Sequence, residues 1–203
     1  MKILIVSDMI ERRLYDGFRK EFVKDIDLII SCGDLRAGYL DFLMTMVNVP
    51  MMYVMGNHDN ALVKEPPLGA QSLEGKIIKF KGYNFAGLGG CIKYNNQNIN
   101  MYTEHEMRSR CRKLAFKARL RGGIDVFVAH APAQGYGDLE DFPHRGFKCF
   151  NKLLNKFRPM YMFHGHVHTS YNRNIKTQLD HPCGTTIING CGYKIVELPD
   201  REE

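Results

Sequence analysis

The sequence predicts an α/β fold, and three observations carry that prediction. Short apolar runs of strand length, such as Ile3 to Val6 and Val126 to Ala129, recur between stretches with helical spacing. These runs are apolar throughout rather than alternating, as expected of strands covered on both faces. Residues 3 to 55 read strand, helix, strand, helix, strand with short connections, which indicates parallel pairing through right-handed crossovers.

Taken in order, Ile3 to Val6 is the first strand. Glu11 to Val23 places Leu14, Phe18 and Phe22 four apart, which predicts a helix. Asp27 to Ile30 is the second strand, with Ser31-Cys32-Gly33-Asp34 as its exit turn. Tyr39 to Val47 reads as a helix punctuated by Pro50, and Met51 to Met55 is a third strand broken by Gly56. Beyond Pro66-Pro67, Ser72 to Lys81 and Tyr83 to Leu88 form a strand pair around Gly82. Gly87-Leu88-Gly89-Gly90 reads as a flexible turn that lacks the spacing and following helix of a dinucleotide loop, and Asn95 to Asn100 as a polar loop.

Glu104 to Leu120 is the clearest helix, with Thr103 as N-cap, acidic residues in its first turn and Gly122-Gly123 past its end. Met107, Cys111, Leu114 and Ala118 form its apolar stripe. Arg108, Arg112 and Arg119 fall on a neighbouring stripe, read first as a solvated face and second as a surface for nucleic-acid phosphates. Asp125 to Ala129 is a strand, Ala131 to Arg145 a long loop, Phe147 to Phe157 a helix and Met160 to Phe163 a strand. Three β segments close the chain: Tyr171 to Gln178, Thr185 to Ile188 and Tyr193 to Glu197. Without a repeat or linker, residues 1–203 are expected to form one domain.

Composition narrows the class. With 203 residues, 44% hydrophobic and 25% charged, the chain is of ordinary globular type and long enough to bury a core. No apolar stretch approaches the roughly 18–20 residues of a membrane span. The first apolar run is too short for a signal peptide and no small-residue cleavage site follows, so a cytoplasmic protein without a membrane partner is expected. The six cysteines include no Cys-x-x-Cys pair and read as reduced core residues. A net charge of +6 favours anionic partners such as phosphate esters or nucleic acid, or simply reflects a solvated basic surface. Oligomeric state is left open by the sequence.

The chemistry lies where the apolar runs end. Asp8 follows the first run, Asp34 the second, Gly56-Asn57-His58-Asp59 the third, His130 a fourth, and His166 and His168 a fifth. In open α/β sheets, ligands bind at the carboxyl ends of strands, where loops unite residues distant in sequence. Oxygen and imidazole donors of this kind suit Mn, Fe, Zn or Ni. Two carboxylates, an amide and three imidazoles exceed the needs of one tetrahedral ion and suit two ions about 3.5–4 Å apart. His105 and His181 lack such context and read as surface and structural residues.

These motifs resemble the calcineurin-like metallophosphoesterase superfamily, including its small members that act on soluble phosphoesters. Asp8, Gly33-Asp34, Gly56-Asn57-His58-Asp59, His130 and Gly165-His166-Val167-His168 stand in the order of its five blocks. The resemblance implies a four-layer αββα sandwich of two mixed β-sheets flanked by helices. It also implies two divalent ions, Mn²⁺ foremost, with Fe, Zn or Ni as alternatives. By that resemblance Asp8 and His168 hold the first ion, Asp34 bridges, and Asn57, His130 and His166 hold the second. His58 would reach the phosphoryl or leaving-group oxygen, with Asp59 orienting it, and a capping role for Asp59 stands beside the orienting one. The first block departs from the family, since Ile10 stands where a histidine is usual, and a weakened first site is expected. In the loop after His130, His144 either approaches the substrate phosphate or joins Asp138 and Asp141 in tying the loop down. The implied activity is hydrolysis of a small phosphodiester or phosphomonoester by metal-activated water, assisted by His58. A nuclease using the basic helix face and a non-catalytic scaffold on the same fold are the alternatives.

Overall fold

The computed structural model describes residues 1–96, 99–171 and 175–201. β1 (Lys2–Ser7), β2 (Leu28–Ser31), β3 (Met51–Tyr53) and β4 (Gln71–Ser72) lie side by side and parallel, with α1 (Ala37–Val47) crossing between β2 and β3. A hairpin of β5 (Ile77–Phe80) and β6 (Tyr83–Leu88) follows, then a small parallel pair, β7 (Cys91–Ile92) and β8 (Met101–Tyr102). Next come α2 (Glu104–Leu120), β9 (Val126–Ala129), α3 (Lys148–Phe157) and β10 (Tyr161–His164). The chain closes with β11 (Gln178–Asp180), β12 (Thr186–Asn189) and β13 (Gly192–Glu197). The first sheet has the order β13-β1-β2-β3-β4, with β13 antiparallel to β1. The second has the order β11-β12-β10-β9-β6-β5, parallel at its centre with antiparallel edges.

The alternation of side chains along each strand builds four layers. Ile3 and Ile5 of β1 face the second sheet and share a buried cluster with Phe85, Val126, Val128 and Phe163. Leu4 and Val6 point the other way, onto Leu40 and Leu43 of α1. On the far side, Phe127 and Met162 pack against Leu114 of α2 and Phe150 of α3. Strands sandwiched in this way are apolar on both faces, which explains why their sequence signal was continuous rather than alternating. The architecture is the expected αββα sandwich of two mixed sheets.

Helix α2 has the bounds its sequence predicts, and Thr103 and Glu106 form a reciprocal capping box. Thr103→Ala should lower stability by about 1 kcal/mol. For a chain of this size that is a drop of about 2–4 °C in melting temperature. A thermal melt beside exposed Ser109→Ala checks this; equal melting temperatures would deny the cap its role.

Some elements differ from expectation. Glu11 to Val23 is not one helix but two 3-10 turns, Arg12–Leu14 and Lys20–Val23. Of its apolar stripe, only Leu14 is fully buried, Phe18 is half-buried and Phe22 exposed. Gly17 sits mid-segment, and Tyr15 and Phe18 instead set their rings edge-on to Phe42 of α1. Two buried anchors, Leu14 and Val23, do not offset the cost of helix nucleation across a glycine. The turn after β6 is not slack, because Gly90 N–H donates to Met55 O at 2.7 Å and pins it to the end of β3. The expected segment Tyr171 to Gln178 falls partly on residues 172–174, outside the described residues, and β11 begins only at Gln178. Residues 97 and 98 of the Asn95 to Asn100 loop also lie outside them. No helix among the described residues is long and apolar enough to cross a membrane.

Candidate metal centre

The candidate donors leave the carboxyl ends of strands from both sheets and meet at one edge of the sandwich. The turns that deliver them are tight. Asp8, Asp34 and His166 all adopt positive φ, at 64°, 58° and 68°, a region that non-glycine residues visit rarely. Asp8 N–H donates to Gly33 O at 3.1 Å and Gly165 N–H to His130 O at 2.9 Å, which stitches the exits of β1 to β2 and of β9 to β10.

His130 is fully buried. Its Nδ1 lies 2.8 Å from Cys32 O, while its Nε2 lies 3.0 Å from Asn57 Oδ1 and 3.4 Å from Asp34 Oδ2. Asn57 donates its amide Nδ2–H to Tyr94 Oη at 3.2 Å, which leaves Oδ1 facing His130. His166 is also buried, and its Nε2 lies 2.9 Å from Pro143 O, so the lone pair of the neutral ring sits on Nδ1. Both imidazoles thus commit one ring nitrogen to a backbone carbonyl and leave the other for a ligand, the arrangement that orients metal-binding histidines. Ligating atoms of Asp34, His130 and His166 all lie within 4.8 Å of one another. Donor separations of 3.0–3.4 Å around His130 Nε2 match the edges of a polyhedron with bonds of about 2.1 Å. By donor chemistry and spacing, these residues fit a divalent ion.

Asp8 and His168 form the neighbouring group, with His168 Nε2 3.6 Å from Asp8 Oδ1. Both Asp8 oxygens accept the backbone N–H of His166, at 2.9 and 3.0 Å, so the two halves of the site are tied together. Position 10 adds nothing here: Ile10 is exposed, and Glu11 turns back to accept Arg13 N–H as the cap of its own 3-10 turn.

Charge is unevenly held. Burial alone would push His130 down, but the Asp34 carboxylate outweighs it and raises His130 to about 9. Asp34, despite its burial, is held down at about 2 by His130. Burial, reinforced by the positive charge on His130, keeps His166 well below the usual imidazole range. His168 is raised by its contact with Asp8. A protonated His130 would therefore put positive charge where a cation would sit.

A cavity of about 440 Å³ opens over these donors and is walled by His58, Tyr94, His144 and Tyr171. His58 N–H donates to Asp34 Oδ1 at 2.8 Å, while its side chain is exposed to the cavity. His144 reaches the site, its ring 5.2 Å from that of His166, and is itself held by Asp141 at 2.6 Å. Asp138 ties the loop by accepting from Gly135 and Gly146 N–H. Of the two roles read for Asp59, its side chain does not take that of orienting His58. One of its oxygens accepts the N–H groups of Asp34 and Gly56, each at 2.7 Å, and it makes no hydrogen bond to the His58 ring among the described residues. Buried beneath Asp34, Asp59 shapes the turn that presents it rather than orienting His58. Two residues escaped the sequence reading: Tyr94, which sets the Asn57 amide, and Tyr171, stacked on His168 at 5.0 Å. Neither belongs to a strand-exit motif, and only the proximity of Tyr171 to His168 in sequence hinted at its place.

The sequence pattern of calcineurin-like phosphoesterases matches residues 1–170. The chain belongs to that family. The calcineurin-like phosphoesterase assignment accords with a metal-dependent phosphoester hydrolase and with divalent ions bound by the family. Among proteins similar to this calcineurin-like phosphoesterase is Methanocaldococcus jannaschii MJ1162, 26% identical over 189 residues, covering 84% of this chain and 81% of that one. A solved structure superposes with a TM-score of 0.71 at 16% identity, over 96% of this chain and 94% of its own. GAP50, the anchor in the inner membrane complex of Plasmodium, superposes with a TM-score of 0.51 at 13% identity, over 93% and 70% of the two chains. At such identities these likenesses speak to the fold.

Proposed function

We propose that this phosphoesterase hydrolyses a small phosphodiester or phosphomonoester at a two-ion centre, with Mn²⁺ the foremost candidate. The observation that supports this most strongly is the meeting of Asp34, His130 and His166 donors beneath an open cavity walled by His58 and His144. Asp34, Asn57, His130 and His166 would hold one ion, and Asp8, Asp34 and His168 the other. Bound divalent ions supply neutralisation of the phosphoryl oxygens and an acidified water. His58, exposed at the cavity wall, would donate a proton to the leaving oxygen, and His144 would hold a phosphoryl oxygen.

The test is a turnover screen with aryl phosphate monoesters and diesters across Mn²⁺, Ni²⁺, Zn²⁺ and Mg²⁺. His58→Ala should lower kcat by about 10²–10⁴ while metal affinity stays unchanged. Asn57→Ala should lower metal affinity as well. Full activity in both variants would remove the mechanism. Because Asp8 and His168 have no second imidazole beside them, occupancy of their ion should fail first in metal-poor buffer. Ile10→His should then tighten it, as metal titration would read; an unchanged affinity would mean that another group completes that site.

A further inference from the structure

A second cavity, of about 430 Å³, adjoins the first and shares two of its walls, Asp34 and His58. His58 thus stands at the junction of the two. We propose that this second cavity is the leaving-group subsite, and that it takes an uncharged, ring-bearing alcohol of nucleoside size. The inference rests on the phosphoesterase reading above and extends it to the substrate.

The geometry follows from in-line displacement. If the phosphoryl group sits over the metal donors in the first cavity and His58 protonates the departing oxygen, the alcohol must extend past His58. The second cavity is what lies there. Its volume is within the range of about 300–1,000 Å³ that holds a small organic ligand and is wasted on a methyl group. Its floor is made by the buried side chains of Leu35 and Leu62, which suits a flat apolar body. Its rim carries exposed Arg36 and Glu65, one donor and one acceptor of opposite sign. With one cation and one anion the rim has no net sign to select a charged alcohol, and it offers a neutral group both a donor and an acceptor. Gly38 completes the wall, and a Cβ placed there meets nothing within 4 Å. A larger residue at Gly38 therefore has room to enter the cavity.

The experiment compares esters that differ only in the leaving alcohol: adenosine 5′-monophosphate with methyl phosphate, and bis(adenosin-5′-yl) phosphate with dimethyl phosphate. Gly38→Trp should lower kcat/KM for the adenosine esters at least tenfold, on the order of what pocket complementarity supplies, and leave the methyl esters unchanged. Gly38→Ala, which leaves the cavity open, should behave as wild type throughout. An equal loss on both kinds of ester, or no loss on either, overturns the subsite. Adenosine binding to the metal-free chain, followed by NMR, gives a reading independent of turnover. It should be present in wild type and lost in Gly38→Trp, and its absence from wild type also overturns the subsite. Failure of wild type to hydrolyse any ester with any of the four metals would instead defeat the phosphoesterase reading, with adenosine binding still deciding whether the cavity takes such a group.

Discussion

Gly56→Ala is expected to weaken metal binding by about 100-fold, although residue 56 carries no donor. A Cβ at this position would lie 2.0 Å from Asp34 Oδ1 and 2.7 Å from His130 Cε1, separations that no real carbon occupies. The turn cannot retreat. Gly56 N–H is held by Asp59 at 2.7 Å and Gly56 O by the Asn100 amide at 3.1 Å. The Asp34 carboxylate must therefore rotate away, taking with it the partner that positions His130 Nε2. Loss of positioning contacts around a metal typically costs 10–100-fold in affinity, and here a donor itself moves, so about 100-fold is the fair expectation. Crowding of this kind also costs about 1–3 kcal/mol in stability. Calorimetric metal titration and thermal unfolding of Gly56→Ala beside Gly38→Ala, where the added methyl meets open space, read both effects. Gly165→Ala is the companion at the other half of the site, since its Cβ would come within 2.5 Å of Asp8 Oδ2. Wild-type affinity in Gly56→Ala would mean that Asp34 and His130 do not share an ion.

The glycines explain part of what was legible in the sequence and part of what was not. Strand exits could be read because a continuous apolar run ending in a polar side chain reflects two-sided burial followed by a sharp turn. Asp8, Asp34, Asn57, His130 and His166 all sit at such exits, and the structure gathers them. The layer order was legible only by family resemblance, because nothing local in Ile3 to Val6 says which neighbour each side chain will meet. The failure at Glu11 to Val23 has a tertiary cause. Four-residue spacing of Leu14, Phe18 and Phe22 satisfies the helical period, but aromatic contacts with Phe42 and Tyr39 hold the segment in a looser path. Asp59 left two readings open for a similar reason. Its proximity to His58 in sequence suggested an orienting partner, whereas the reversal at Gly56 turns its carboxylate inward to two backbone N–H groups. Tyr94 and the second cavity were invisible because they arise from packing between distant segments.

Protons should compete with metal at His130, and this competition has a defined sign. In the metal-free chain His130 is raised from 6.5 to about 9, so the stability it contributes is complete below 6.5 and is lost as pH rises through 9. Asp34 is lowered from 3.8 to about 2, so its contribution is present above 3.8 and is lost as pH falls through 2. His164, pushed by burial from 6.5 to about 4, works against acid stability, because the unfolded chain takes up its proton first as pH falls below 6.5. His166, also lowered, acts in the same direction. The metal-free chain should thus be most stable near pH 6.5, with denaturant midpoints falling towards both pH 5 and pH 9. An ion entering the His130 site needs the Nε2 lone pair of His130, so binding of that ion at neutral pH should release about one proton. Affinity should rise about tenfold per pH unit from 6.5 and level off near 9. Calorimetry in two buffers of different protonation enthalpy measures the released proton directly. An affinity that does not change between pH 6.5 and 8.5 would show that the charge on His130 is not what the metal replaces. The pairing of His130 with Asp34 and Asn57 would then be structural, and His166 would be the one imidazole left to hold an ion at this position.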